Sequence, residues 1–138
     1  MSKITRVSVS VEEDLLERFD AFAKERGFPT RSEAIKIVMR DALVQQEWAK
    51  GTHVAGAVSL VYDHHKSTIV PKLLAVQHDF HHEVQCSQHV HLDHDNCMEI
   101  IVVRGTSVRI TALLKRLREI KGLKHIVLTM STTGCWKL

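Results

Sequence analysis

Histidine and cysteine side chains with the spacing of a metal site lie close together near the middle of the chain. His89 and His91 are two residues apart, so on a β-strand both imidazoles project from the same face. Residues 92–96, four of them polar, have the composition of a tight turn, which predicts a second strand that starts at Cys97 and returns beside the first. If Cys97 faces His91, two imidazoles and one thiol lie within reach of a single ion.

The same region supplies two further candidate groups. Glu99 shares the predicted face with these donors, and another nitrogen donor, His78, precedes His89 in a different element. Nitrogen and sulfur donors suit nickel, copper or zinc and are poor ligands for magnesium or calcium. The residues alone leave the choice among the three suitable metals open.

Composition limits the class of protein. A chain of 138 residues with 44% hydrophobic residues and a formal net charge of +3 predicts one globular domain or two very small ones. The three cysteines lack the spacing of a disulfide framework, and neither a signal peptide nor an apolar run of about 20 residues is present. We therefore expect a cytoplasmic protein with free thiols and no membrane partner.

The N-terminal segment predicts one strand followed by two helices. Apolar and polar residues alternate over residues 4–11, as in a half-buried strand. Ser10 and Thr30 each begin a capping box that predicts the start of a helix, and Gly27 predicts the end of the first one. The helical pattern then fades, and residues 45–56 are interpreted as a linker.

A strand with two helices is too small to bury a core of its own. A two-fold dimer solves this if two copies of residues 4–11 pair as an antiparallel ribbon. The polar face of that ribbon would carry Arg6, Ser8 and Ser10 twice, and a two-stranded ribbon fits the major groove of DNA, where arginine reads guanine. An ordinary edge strand with solvated polar side chains is the alternative.

Six further elements are predicted after the linker. Their order is strand, helix, strand, strand, helix, strand, which is typical of a ferredoxin-like domain. The predicted ranges are 54–62, 68–80, 83–92, 97–104, 107–120 and 123–130.

With these elements in place, the chain resembles the nickel-responsive regulator (NikR) family of repressors over nearly its whole length. The resemblance rests on Arg6-Val-Ser-Val-Ser10, Arg31-Ser-Glu-Ala-Ile35, Gln77-His78, His89-Val-His91 and Asp95-Asn-Cys97-Met-Glu-Ile100. It implies an α+β fold in which a ribbon-helix-helix DNA-binding domain over residues 1–48 precedes a ferredoxin-like, ACT-like regulatory domain. That second domain, residues 49–138, would bind the metal and form a tetramer.

The resemblance also implies a set of ligands. His89, His91 and Cys97 would come from one subunit and His78 from a neighbour, and together they would hold one Ni(2+) per subunit in a planar, four-coordinate arrangement. Three more residues correspond to positions near the metal, where they would orient the ligands: Glu99, Tyr62 and His64.

The implied partner is double-stranded operator DNA, which the N-terminal β-ribbon would contact in the major groove. Arg6, Ser8 and Ser10 correspond to the operator-reading positions, and Lys66 corresponds to a residue that meets phosphate in the metal-bound state. The implied assembly is a cytoplasmic homotetramer, a dimer of dimers. Its function would be that of a transcriptional repressor whose operator affinity rises when nickel binds.

Other functions fit these residues less well. An enzyme is not predicted, because the chain lacks a His-Glu-x-x-His motif, a glycine-rich phosphate loop and a paired-carboxylate constellation. The alternatives that remain are a ribbon-helix-helix regulator responding to copper or zinc, and one responding to a small-molecule effector such as an amino acid.

The residues outside the predicted ligand set support weaker predictions. Ile37 stands where some relatives carry an acidic residue, which argues against an interdomain cation site near Glu33. Cys86 is predicted to be a small buried hydrophobe, and Cys135 receives no role. An accessory metal site is a weaker hypothesis for three other histidines: His64, His81 and His82.

Overall fold

The structure, a computed structural model, describes residues 3–135. The chain divides into two compact units, one up to Asp41 and one from Ala42 onward. In chain order the elements are α1 (Glu13–Glu25), α2 (Arg31–Ala49), β1 (His53–Asp63), α3 (Ile69–Asp79), β2 (Val84–His91), β3 (Asn96–Thr106), α4 (Ser107–Arg118) and β4 (Leu123–Ser131). Within the described range, every helix is too short or too polar to cross a bilayer.

The strand predicted over residues 4–11 is absent from the single chain, since residues 3–12 carry no regular structure. A strand needs a neighbouring strand to satisfy its backbone amides and carbonyls, and the described part of the first unit offers none. Val7 is 76% exposed. With Ala23 and Ala34 as the buried side chains in the described part of this unit, it has almost no core of its own.

The two predicted capping boxes have different outcomes. At the start of α1 the N-cap residue is Glu12 and no side chain accepts a hydrogen bond there, so the box at Ser10 is wrong. Ser10 lies two residues before the N-cap, too early to reach the free amides of the first turn. At the start of α2 the Thr30 hydroxyl accepts from the amide of Glu33 at 3.1 Å, which confirms the predicted helix start.

Both helices of this region end at a glycine. The amides of Gly27 and Phe28 donate to the carbonyls of Lys24 and Ala23, both at 3.0 Å, and Gly27 has a φ of +74°. These two bonds form a Schellman motif. The motif needs one residue in the left-handed conformation, which glycine adopts without strain. The helix end predicted at Gly27 is confirmed, and Gly51, with a φ of +73°, ends α2 in the same way.

The linker predicted over residues 45–56 is wrong, because α2 continues to Ala49 and β1 starts at His53. Trp48 lies in the apolar core of the second unit, and its Nε1 donates to the carbonyl of Ser131 at 2.8 Å. This packing extends the helix beyond the point where its sequence pattern weakens. Gly56, the last residue of the predicted linker, lies within β1. A Cβ added there would approach the carbonyl oxygen of Thr129 to 2.6 Å.

The second unit is a four-stranded antiparallel sheet in the spatial order β2-β3-β1-β4. This arrangement confirms the predicted order of strands and helices. Burial alternates along β1 and β3, and the buried side chains of both strands pack with those of α3 and α4 in one apolar cluster. The largest fully buried side chains include Tyr62, Leu60, Ile69, Leu73, Ile101 and Ile110.

An ion pair between the buried carboxylate of Glu83 and the half-exposed Arg109 joins the residue before β2 to α4. The carboxylate of Glu83 accepts from Arg109 Nε at 3.0 Å and from a terminal guanidinium nitrogen at 3.4 Å. The guanidinium also lies 4.6 Å from the ring centroid of Phe80. The hydrogen bonds from Arg109 lower the pKa of Glu83 below its ordinary value, against the opposing effect of burial.

Replacing Arg109 with methionine should lower the Tm by about 5 °C at pH 7, because the buried carboxylate of Glu83 loses its partner. The pKa of Glu83 is lower in the folded chain than in the unfolded one. The pair therefore stabilises the fold at neutral pH, and its contribution disappears as the pH falls through the folded pKa. Thermal unfolding followed by circular dichroism should show the difference between variant and parent shrinking with acidification.

Arg116→Met is the matched control on the same helix, since Arg116 forms a half-exposed pair with Asp79. Exposed pairs contribute little to stability, so this variant should change the Tm by no more than about 1 °C. Equal losses for the two variants would contradict the role given to the buried pair.

Candidate metal centre

The register of the β2–β3 hairpin brings the candidate donors together. His91 pairs with Cys97, and His89 pairs with Glu99. Residues paired across antiparallel strands point to the same face, so the predicted facing of His91 and Cys97 is confirmed. Both pairs lie on one face because their positions along each strand differ by two.

A hydrogen-bonded turn sets this register. The Oδ1 atom of Asp93 accepts from the backbone amides of Asp95 at 2.9 Å and Asn96 at 2.8 Å. The amide of Leu92 donates to the carbonyl of Asn96 at 2.9 Å, which closes the hairpin. A short polar side chain at Asp93 therefore organises the turn that aligns the donors.

A buried thiol and two imidazoles form the tightest donor group. Cys97 is fully buried, and its Sγ lies 3.3 Å from Nδ1 of His91. His64 joins them from the residue after β1, so that one ligand atom from each of the three side chains lies within 4.8 Å of the others. The Nδ1 atom of His64 is buried and has no hydrogen-bond partner. An orphaned nitrogen of this kind fits a position beside a ligand or ion.

His89 lies next to this group and is oriented by a buried network. Its ring centroid is 5.0 Å from that of His91, and its Nδ1 is 3.0 Å from the hydroxyl of Tyr62. The buried carboxylate of Glu99 lies 3.5 Å from the same hydroxyl and accepts from the side-chain amide of Gln77 at 2.6 Å. These contacts hold the imidazole of His89 in one orientation.

His78 lies in the last turn of α3, where its ring stacks with that of His81 at a centroid distance of 6.0 Å. Among residues 3–135, the donor groups with ligand atoms within 4.8 Å of one another contain neither His78 nor His89. The single chain therefore joins His91 directly to Cys97, places His89 beside them and keeps His78 apart.

The residues expected to contact DNA are exposed. Lys66 lies in the turn between β1 and α3, where its amide donates to the carbonyl of Asp63 at 3.2 Å. In the first unit, Arg6, Ser8 and Ser10 are all exposed.

Two features of the site differ from what the sequence indicated. Cys86 is exposed, so its predicted burial is wrong; β2 is an edge strand whose register shifts between Val84 and Cys86, and this shift breaks the expected alternation. The sequence predicts no role for Gln77, although its side-chain amide donates to the carboxylate of Glu99. Its position next to His78 was the one available signal, and only the packing of α3 on the sheet shows the contact.

Burial affects the protonation of the Cys97 thiol and the Tyr62 hydroxyl. It raises the pKa of the Cys97 thiol, and the carboxylates of Asp93 and Asp63 raise it further. Burial, followed by the charges of Glu99 and Cys97, raises the pKa of Tyr62 to about 12. In the metal-free chain the thiol is therefore protonated at neutral pH. Because a metal binds the thiolate, binding must release a proton.

The donors present fit an ion of the nickel, copper and zinc class. Imidazole nitrogen and thiolate sulfur are ligands that these metals accept, and the buried, unpaired nitrogen of His64 marks the same position. The groups available to hold such an ion within one chain are Cys97, His91, His89 and His64.

Comparison with known proteins identifies the family. The model described as "NikR C terminal nickel binding domain" matches residues 55–131, and the one described as "Ribbon-helix-helix protein, copG family" matches residues 5–46. The chain belongs to the nickel-responsive regulator family. It is a regulator of transcription and not an enzyme, and the expected α+β fold with a ribbon-helix-helix domain is confirmed.

Similar proteins cover almost the whole chain. A relative from Thermococcus onnurineus is 47% identical over 133 residues, covering 96% of both chains. One from Syntrophus aciditrophicus is 44% identical over 134 residues, covering 97% of this chain and 98% of its own. Both are provisionally named nickel-responsive regulators. The solved structure of an uncharacterized protein from Thermotoga maritima matches with a TM-score of 0.52 at 13% identity, over 56% of this chain and 96% of its own, which shows a shared fold.

The buried thiol should react slowly with a water-soluble disulfide reagent. With Cys97 as the single cysteine (Cys86→Ser with Cys135→Ser), we expect the metal-free regulator to react about tenfold or more slowly at pH 7 than a variant that keeps only Cys135, because the raised pKa leaves little thiolate. The rate should rise with pH, and the absorbance of the released thiol measures it.

Added nickel should slow the reaction of Cys97 further and leave that of Cys135 unchanged. Equal rates for the two cysteines in the metal-free protein would contradict the buried, protonated state of Cys97.

Proposed function

We propose that this regulator binds one Ni(II) ion per subunit through His89, His91 and Cys97 of one chain and His78 of a neighbouring chain. The observation that carries the proposal is the hairpin register, which sets His91 opposite Cys97 and puts His89 on the same face. Copper and zinc accept the same donors. The match to a nickel-binding family domain favours nickel.

The network behind His89 supports its role as a ligand. The Tyr62 hydroxyl lies at Nδ1 of this imidazole, which leaves Nε2 available to an ion. Gln77 holds Glu99, and the Glu99 carboxylate lies close to the same hydroxyl. Loss of the contacts that orient a metal-bound histidine commonly lowers metal affinity by about 10–100-fold. Tyr62 and Glu99 therefore act as positioning residues. When bound, the ion would supply a rigid cross-link between chains.

The position of His78 supports a shared site. Within one chain His78 lies outside the donor group, so a second copy must supply this ligand if His78, and not His64, is the fourth donor. Strand β2, which carries two of the ligands, is an edge strand with mostly exposed side chains, and it is free to meet another copy. We infer a homotetramer, a dimer of dimers, in which the regulatory domains, residues 49–138, form the centre.

The unpaired N-terminal segment supports a DNA-reading ribbon built from two chains. Pairing two copies of residues 4–11 would satisfy the backbone groups of the segment and cover Val7. It would also cover apolar side chains that α1 and α2 expose: Leu15, Ile35, Val38, Met39 and Leu43. The opposite face would present Arg6, Ser8 and Ser10 to base edges in the major groove of the operator. We place this activity in the cytoplasm, with no membrane partner.

The path from the ion to the DNA runs through α3. This helix carries His78 in its last turn, and Lys66 lies in the turn just before it. An ion that binds His78 to the hairpin of another subunit would fix α3 and hold Lys66 where it can meet a phosphate. By linkage, the operator must tighten nickel binding by the same factor that nickel tightens operator binding.

Cys97→Ala should abolish tight nickel binding at this centre and, with it, the effect of nickel on DNA binding. In an anaerobic nickel titration of the full chain, the parent should show a thiolate-to-nickel charge-transfer band that the variant lacks. Nickel should tighten binding to duplexes selected from a random pool by about 5–150-fold in the parent alone, measured by fluorescence anisotropy. Cys86→Ser is the control and should behave like the parent.

The same experiment distinguishes nickel from other effectors. If copper or zinc tightens DNA binding and nickel does not, the regulator responds to another metal. DNA affinity that no metal changes would overturn the proposal and leave a small-molecule effector, such as an amino acid, as the candidate.

Mixed assemblies should show whether His78 acts across subunits. His78→Ala retains an intact hairpin, whereas Cys97→Ala retains an intact His78. Each protein alone should bind nickel weakly, because one ligand is missing from every site. When the two are unfolded together and refolded, pairs of unlike subunits gain one complete site, and tight nickel binding with its absorption band should return in part. A mixture that binds no better than its components would contradict a shared site.

A further inference from the structure

A second group of metal-binding side chains lies at the tips of two adjacent turns. Its members are His65, from the turn after β1, with His94 and Asp95, from the β2–β3 turn. One ligand atom from each lies within 4.8 Å of the others. Oδ1 of Asp95 is 2.9 Å from Nδ1 of His94 and 3.2 Å from Nε2 of His65.

Hydrogen bonds to backbone groups fix the two turns that carry these side chains. The amide of His64 donates to the carbonyl of Asp95 at 3.1 Å, which joins the two turns directly. The carboxylate of Asp63 accepts from the amide of His65 at 2.9 Å, and that of Asp93 accepts from the amide of Asp95. The two turns are thus positioned without any ion, and a metal would find its donors already gathered.

The chemistry of the group differs from that of the Cys97 centre. It has two imidazoles and a carboxylate but no sulfur, and its side chains are 52%, 87% and 62% exposed for His65, His94 and Asp95. Exposed ion pairs contribute little to stability, so folding alone gives little reason to bring the three side chains together. Two imidazoles and one carboxylate are a donor set that divalent transition metals accept, with the remaining positions open to water.

We propose that His65, His94 and Asp95 form a second, weaker site for a divalent ion of the zinc, nickel and copper class. The ion would join the turn after β1 to the β2–β3 turn. The site needs one chain and no thiolate, so it goes beyond the nickel centre proposed above and does not depend on it. It also differs from the accessory site considered for His64, His81 and His82, which do not group together within residues 3–135.

Nickel titration of the full chain can separate the two sites. The charge-transfer band reports the Cys97 centre, and metal analysis after equilibrium dialysis counts all bound ions. The parent should continue to take up nickel after the band has saturated. In the double variant His65→Ala with His94→Ala, the band should be unchanged. The nickel affinity of the uptake that follows saturation of the band should fall by about tenfold or more. Asp95→Asn, which keeps the side-chain size, should weaken the same uptake.

Matched controls keep the result specific. His53→Ala removes an exposed histidine at the opposite end of β1 and should leave both sites intact. Cys97→Ala should lose the band and retain the uptake assigned to the second site, so a failed nickel centre and a failed second site give different results. Uptake that is the same in the double variant as in the parent would overturn the proposal, as would equal weakening by His53→Ala.

Discussion

The pairing of His91 with Cys97 across the β2–β3 hairpin is the constraint on which the candidate site depends. Side chains alternate between the two faces of a strand, so a shift of one residue in this register would turn Cys97 away from both imidazoles. The carboxylate of Asp93 sets the register at the turn. The inner position of β3 in the sheet maintains this register, because β3 also pairs with β1 along its whole length.

The same sheet determines the chemistry of the thiol. Tyr62 in β1 pairs with Cys97, and both are fully buried under the helices. Burial raises the pKa of the thiol and so favours its neutral form until a cation compensates the loss of the proton. On the same face, the buried carboxylate of Glu99 accepts a hydrogen bond from Gln77, and the Tyr62 hydroxyl lies nearby. A core that protects the thiol and a network that orients His89 are thus parts of one packed face.

The two units differ in how complete they are. The second unit has a continuous core between its sheet and its helices, whereas the described part of the first buries two alanines and leaves most of its large apolar side chains exposed. A segment with so little core cannot offset the conformational entropy lost on folding unless a partner covers it. This explains why the strand that the alternation of residues 4–11 predicts does not form in a single chain.

Periodicity and turn chemistry in the sequence were sufficient for the order of elements in the second unit. Alternating residues in β1 and β3 and the turn at residues 92–96 led to the ferredoxin-like order and to the facing of His91 and Cys97. These features are local, since they depend on side-chain spacing and on turn residues a few positions apart. The boundaries of the helices were less accurate: α2 continues to Ala49 because distant residues pack around Trp48.

The sequence by itself determined which donors exist and which of them share a strand face. Only the tertiary structure decided that His64 joins the group of His91 and Cys97, that Gln77 donates to Glu99, and that Cys86 is exposed. Each of these facts depends on how one element packs against another, or on a bulge in an edge strand. Contacts between residues far apart in the chain leave no periodic signal, so they become visible only when the sheet and its helices are assembled.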